Sequence, residues 1–220
     1  TFLITKWLIP ILKAKDIVGF DMNKSPPVKV PEMGGIAVIL GFFIGIYAQI
    51  LIYVQYSEGV ELNDFLLVSV ISAIGIGLIG ILDDLLNLRQ SVKAILPFLF
   101  ALPLGLFVSS IIFLPFLGDV NFGWSVLLLV PFGVTCAANS TNMLEGFNGL
   151  GTGMAIIVSF ALIIMSILSE NVISLFLLIP LLGSLLAFLV FNRYPSKIFP
   201  GDSLTLFMGG IIGCSAIISN

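Results

Sequence analysis

The 220-residue chain contains no histidine, so neither imidazole metal sites nor histidine-based proton transfer is available within it. It has two cysteines, Cys136 and Cys214, both inside apolar runs, which suits packing better than a disulfide or a metal pair. Charge is also scarce. Only 10% of residues are Asp, Glu, Lys or Arg, against about a quarter in soluble domains, while 59% are hydrophobic. A soluble globular domain and a disordered polyelectrolyte are both excluded, and nothing points to nucleic acid. The mean hydropathy of +1.19 indicates a polytopic membrane protein.

The apolar runs are long enough for helices that cross the hydrocarbon, which takes roughly 20 residues. Spans are expected near 1–13, 34–54, 65–82, 95–112, 124–141, 151–168, 173–191 and 204–220. The fold class is therefore all-α, a transmembrane helical bundle of about eight spans. The chain opens and closes inside apolar runs, so 1–220 reads as a single transmembrane domain truncated at both ends.

Two sets of loops alternate along the chain. Lys13, Lys15, Lys24, Lys29, Arg89, Lys93, Arg193 and Lys197 lie in or beside 14–33, 83–94, 142–150 and 192–203. The other set, 55–64, 113–123 and 169–172, has no Lys or Arg and carries Glu58, Glu61, Asp64, Asp119 and Glu170. The positive-inside rule places the first set in the cytoplasm. Four polar passages thus share one face: GFDMNKSPPVKVPEMGG (19–35), LDDLLNLRQSVK (82–93), NSTNMLEGFNGLGTG (139–153) and FNRYPSKIFPGDS (191–203).

Two local patterns mislead. GIGLIG (75–80) matches a dinucleotide fingerprint but lies inside an apolar span, where close helix packing is the better reading, as it is for Gly41 and Gly45. Asn139-Ser140-Thr141 matches a glycosylation acceptor but falls at the cytoplasmic rim.

The polar passages carry the chemistry. Asp83 and Asp84 close the third span, where carboxylates repel each other and the helix dipole disfavours both. Arg89 and Lys93 follow within ten residues, and Asp83 and Asn87 would share a helical face. Asn139, Asn142 and Glu145 recur every three residues and would form a polar stripe on a helix. Such amides and carboxylates suit Mg²⁺, which takes few protein ligands. Capping and turn formation around Gly146 and Gly149 explains them equally well. Asp202 after Pro200-Gly201 suits a helix N-cap, with Lys197 and Arg193 close by. In 19–35, Asp21, Asn23, Lys24, Lys29 and Glu32 sit among prolines that stiffen the loop. A basic loop at anionic headgroups is its plain reading. Together these groups suit phosphoryl transfer between a soluble nucleotide compound and a lipid phosphate. A transporter would carry its polar groups at mid-span; a lipid-binding scaffold leaves Asn142, Asp202 and Phe199 without a purpose.

ILDDLLNLRQSVK, NSTNMLEGFNGLGTG and NRYPSKIFPGD, with the 19–35 loop, resemble the polyprenyl-phosphate N-acetylhexosamine-1-phosphate transferases. LNLR and YPS are most similar to the dolichyl-phosphate N-acetylglucosamine-phosphotransferase branch. The resemblance implies a ten-helix fold, with transfer of GlcNAc-1-phosphate from UDP-GlcNAc to a polyprenyl (dolichyl) phosphate and release of UMP, the first lipid-linked step of N-glycan-type assembly. It implies Mg²⁺ held by Asn142 and Asp202, and Lys93 on phosphate oxygens. Asp83 and Asp84 would lie beside the reacting phosphates, with Asn139 near the diphosphate. Asn148 would bond to uracil, Phe199 would stack on it, and Glu32 with the Met22 backbone would fix the uridine. Asp83 is read first as a positioning group and second as a base; a covalent aspartyl-phosphate is a further route. Tunicamycin sensitivity, a homodimer and a cell-membrane or endoplasmic-reticulum location complete the expectations. Another UDP-HexNAc or UDP-MurNAc-pentapeptide donor is the alternative. Asn87 departs from the DDxxD pattern usual in such proteins, and the sugar-selecting loop of the resemblance is not in this chain.

Overall fold

A computed structural model describes residues 1–220 apart from 23, 25, 57–63, 115 and 219–220. Asn23, Glu58 and Glu61 therefore lie outside the described residues. Among those described, eight α-helices occupy the places of the eight expected spans. They are α1 (Phe2–Ala14), α2 (Gly35–Tyr56), α3 (Asp64–Leu86), α4 (Gln90–Ala101), α5 (Val126–Met143), α6 (Leu150–Leu168), α7 (Val172–Asn192) and α8 (Gly201–Ile218). Six of them, α2, α3 and α5–α8, are long and apolar enough to cross a membrane. Helix α1 is shorter, and α4 reaches Leu106 only through a 3₁₀ segment, Leu102–Leu106.

Three expectations need correction. The span placed at 95–112 begins five residues earlier and stops at Leu106, because Ile111–Leu114 (β3) turns back on Gly118–Asn121 (β4) as an antiparallel hairpin. A second hairpin, Val18–Asp21 (β1) with Val28–Pro31 (β2), stiffens the 14–33 loop beyond what its prolines do. The 83–94 passage is mostly helix rather than loop: α3 runs through both aspartates, and only Asn87–Arg89 separate it from α4. Asn87 takes a left-handed conformation (φ 51°), so Asp83 and Asn87 do not share a helical face. The backbone N–H of Asn87 instead donates to the Asp83 carbonyl at 2.9 Å and closes the helix.

Helix α8 is the axis of the bundle. Leu204, Phe207, Met208 and Ile211 are fully buried, and α3, α5, α7, α2 and α6 all pack on it. Lipid chains are as apolar as leucine, so close approach and dispersion, rather than exclusion from water, hold such helices together. Small residues permit that approach. A Cβ on Gly77 would stand 2.9 Å from the Phe207 ring, and one on Gly80 would meet the Asp202 carbonyl. GIGLIG is thus a packing surface. Gly45 likewise lies against Pro180, and Gly41 against Thr1 and Ser184. Leu78, Ile71, Leu128 and Phe132 face outward, where lipid would cover them. Cys136 is exposed, Cys214 is buried, and both thiols are free.

Gly209 on α8 has the Ala137 carbonyl and Ala138 Cα of α5 each 2.7 Å from the place of a Cβ, whereas Gly183 on α7 has nothing within 4 Å. Gly209→Ala is expected to destabilise the full-length protein by about 1–3 kcal/mol through overpacking. Gly183→Ala should leave it unchanged or raise stability by up to about 1 kcal/mol through helix propensity. Thermal unfolding in detergent checks the opposite signs.

Candidate active site

The ends of the helices that carry the four polar passages meet at one end of the bundle. Helix α3 delivers Asp83 and Asp84 in its last turn, and α8 delivers Asp202 in its first. The Asp84 carboxylate accepts hydrogen bonds from the backbone N–H of Asp202 (2.7 Å) and of Ser203 (3.0 Å). Those N–H groups have no partner within α8, so Asp84 caps the helix from across the bundle. Gly201 makes this possible: its φ of +69° turns the chain, and a Cβ there would stand 3.0 Å from Asp84 Oδ1. Asp202 is therefore not the capping group expected from its position, and its side chain is free for other work.

That side chain forms an ion pair with Lys93. Lys93 also lies 2.6 Å from Asp83, and both residues are buried at 7% exposure. A buried ammonium needs such company. Asp83 Oδ1 additionally accepts from the Leu88 N–H at 2.8 Å. Lys93, rather than Lys197 or Arg193, is the base that reaches Asp202. Arg193, Lys197 and Arg89 are all exposed.

Asn142, on the last turn of α5, completes the cluster. One end of its amide lies 2.8 Å from Asp202 Oδ1 and 3.1 Å from Thr205 Oγ1; the other lies 3.0 Å from Lys93 Nζ. In the protein alone the nitrogen faces Asp202 and the oxygen accepts from Lys93. A cation beside Asp202 would favour the reverse, oxygen toward Asp202. Among the described residues no three His, Cys, Asp or Glu side chains are grouped to hold a metal. One carboxylate and one amide oxygen, with room left for phosphate and water, fit Mg²⁺, which keeps much of its own shell. Asn139, one turn back, donates to the Ala94 carbonyl (3.2 Å) and the Thr135 carbonyl (2.9 Å), tying α5 to the turn of α4 that carries Lys93.

Beside this cluster lies a cavity of about 300 Å³. Asn142 and Asp202 are in its wall, and Met22, Glu32, Asn148 and Phe199 are lining residues too, together with Asp21 and Glu145. Asp83, Asp84, Lys93 and Asn139 do not line it, and Lys93 stands directly behind Asp202 and Asn142. The α7–α8 connection is pinned beside the first hairpin: the Phe199 N–H donates to the Pro31 carbonyl (2.7 Å) and the Gly34 N–H to the Phe199 carbonyl (2.9 Å). Within that connection, Asn192 donates to the Ile198 carbonyl at 3.1 Å. Met22 is exposed at the rim, and burial, then the Asp84 charge, raises the Glu32 carboxyl above its ordinary value. A larger cavity, about 940 Å³, opens at the other end of the bundle among Phe107, Leu129 and Ile217 and carries none of the motif residues.

Two residues gain weight that spacing alone did not give them. Thr205 shares a face with Asp202, three positions away, and its hydroxyl meets the Asn142 amide; that spacing was a readable signal. Asp21 holds Asn148, a contact across 127 positions that no local pattern announces. Glu145 does not join a helical stripe, because α5 ends at Met143. It folds back so that Oε2 is buried against Gly151 without a well-formed hydrogen bond, although the Gly151 N–H is close enough to favour the charged form.

The profile of glycosyl transferase family 4 matches residues 66–220. The chain belongs to that family. Among its relatives in glycosyl transferase family 4, a Saccharolobus solfataricus protein is 40% identical over 222 residues, covering 99% of this chain and 67% of the relative. It carries the provisional name UDP-N-acetylglucosamine–dolichyl-phosphate N-acetylglucosaminephosphotransferase, as does a Sulfolobus acidocaldarius protein at 38% identity with the same coverage. A phospho-N-acetylmuramoyl-pentapeptide-transferase of Clostridium beijerinckii is 35% identical over 204 residues, 86% of this chain and 60% of the relative. This glycosyl transferase family 4 chain thus spans about two thirds of the length of the first two.

Burial pushes the Glu145 carboxyl from its ordinary 4.5 up to about 7. The folded protein keeps a proton that the unfolded chain releases, so Glu145 costs stability as pH rises from 4.5 through about 7. Unfolding temperatures of full-length protein between about pH 5 and 8 should fall less steeply in Glu145→Gln than in wild type.

Proposed function

We propose that the protein transfers N-acetylglucosamine-1-phosphate from UDP-GlcNAc to a polyprenyl phosphate of the dolichyl type, releasing UMP, with Mg²⁺ as cofactor. The observation that carries this reading is the contact of Asn142 with Asp202 at the wall of a polar cavity, with Lys93 bridging Asp202 to Asp83. The names of the two archaeal relatives supply the sugar and the lipid.

The lipid phosphate is the nucleophile. One of its oxygens forms a bond to the phosphorus that bears the sugar, and the bond from that phosphorus to the bridging oxygen breaks. UMP leaves with the electron pair. Asp202 and Asn142 would hold Mg²⁺, which would supply Lewis-acid stabilisation of the charge on the diphosphate. Lys93 offers an ammonium to phosphate oxygens, and its two carboxylate partners keep it charged and aimed. A phosphate monoester is already anionic near neutral pH, so Asp83 serves first by positioning Lys93 and takes a proton only from a singly protonated lipid phosphate. Phe199 stacks on the base, Asn148 and the Met22 backbone read its edge, and Glu32 accepts from the ribose. Lys13, Lys15 and Lys24 lie at the site end of the bundle with Arg89 and Arg193, which supports a cytoplasmic orientation of this end.

Membranes carrying the full-length protein should transfer labelled GlcNAc-phosphate to polyprenyl phosphate. Asp202→Ala should lower the rate about a hundredfold or more. Undiminished transfer in that variant, or in excess chelator, would refute the reading.

A further inference from the structure

We infer that Asp21 sets the base preference of the cavity: it fixes the direction of the Asn148 amide, so that the pocket accepts a base edge that donates a hydrogen bond and rejects one that accepts. This rests on the uridine-nucleotide reading above and extends it to a residue that the reading did not use.

Asp21 closes β1 and is 1% exposed. Its Oδ2 accepts from Asn148 Nδ2 at 3.0 Å and lies 2.9 Å from Lys24 Nζ. Lys24, 6.0 Å above the Tyr194 ring, supplies the charge that makes a buried carboxylate tolerable. An ionised carboxylate only accepts hydrogen bonds. A half-turn of the Asn148 amide would bring its oxygen against Asp21 Oδ2, two acceptors face to face, so the nitrogen stays on Asp21. The oxygen is left for the cavity, which both residues line. Among the described residues nothing donates to that oxygen.

An amide free to turn can present a donor or an acceptor; this one presents an acceptor. Uracil carries N3–H at its Watson–Crick edge and satisfies it. Cytosine carries a bare N3 lone pair there and sets acceptor against acceptor. A polar group left unpaired in such a site is what gives discrimination between near-isosteric ligands. The hairpin thus acts as the second layer of a base-reading device whose first layer lies on the α5–α6 connection, Leu144–Gly149.

The test measures UMP and CMP binding to the full-length protein. Wild type should prefer UMP by at least about tenfold. In Asp21→Asn the partner can donate as well as accept, Asn148 can turn, and the preference should shrink at least about fivefold. The double variant Asp21→Asn/Asn148→Asp reverses the pair: the new amide donates to the new carboxylate, whose second oxygen is again an acceptor, and the preference should return. A merely structural role would change both affinities together and leave their ratio alone. An Asp21→Asn protein with the wild-type ratio overturns the inference while leaving the uridine reading intact. A wild type without preference for UMP overturns both. If Asp21→Asn fails to fold, the double variant decides, and loss of preference there counts against the inference.

Discussion

The site depends on one contact, the grip of the Asp84 carboxylate on the Asp202 and Ser203 N–H groups in the first turn of α8. A helix that begins at a membrane rim has donors that water reaches poorly, and each needs an acceptor. The usual solution is a capping side chain beside the helix start. Here the acceptor comes from α3, 118 positions away in sequence. The consequence is geometric. Because another residue caps α8, Asp202 turns its carboxylate away from its own helix, toward Lys93 and Asn142. Gly80 and Gly201 allow the approach by having no Cβ where the Asp202 carbonyl and the Asp84 carboxylate must lie.

Around that contact the charges sort into layers. Asp84 neutralises a helix terminus, Asp83 and Asp202 share Lys93, and the Asn142 amide spans from Asp202 to Lys93. The cluster holds more acceptor oxygens than cations, next to a cavity lined by aromatic rings, amides and carboxyl groups. A divalent cation would balance that excess, and an aromatic ring with a hydrogen-bonding rim suits a nucleotide. The membership in glycosyl transferase family 4 and the names of the archaeal relatives agree with this chemistry.

The helices were legible because a bilayer demands long apolar runs, and their ends were legible because charge collects there. Spans such as 151–168 and 173–191 match α6 and α7 to within a residue at each end. The hairpins were not legible: VGFD, VKVP and IIFL are four-residue strands with no room for a pattern, and IIFL continued an apolar run that looked like helix. Asp83, Asp84, Lys93, Asn142 and Asp202 could be singled out from type and spacing, and Asn148 and Phe199 from the resemblance of their motifs, but their partners could not. Asp202 at a helix start suggested self-capping, and only the fold reveals that Asp84 does it. Asn148 suggested a ligand contact, and only the fold supplies Asp21. Such pairings join residues more than a hundred positions apart, and local periodicity carries no information about them.

Titration of full-length protein with Mn²⁺, followed by electron paramagnetic resonance, tests the central claim without relying on turnover. One site should bind in wild type and be lost in Asp202→Ala. Asp84→Ala, which touches no ligand oxygen, should weaken it about tenfold or more, as expected when the support of a metal ligand is removed. Mn²⁺ bound with wild-type affinity in Asp84→Ala would contradict the claim that the grip on α8 aims Asp202 at the cation.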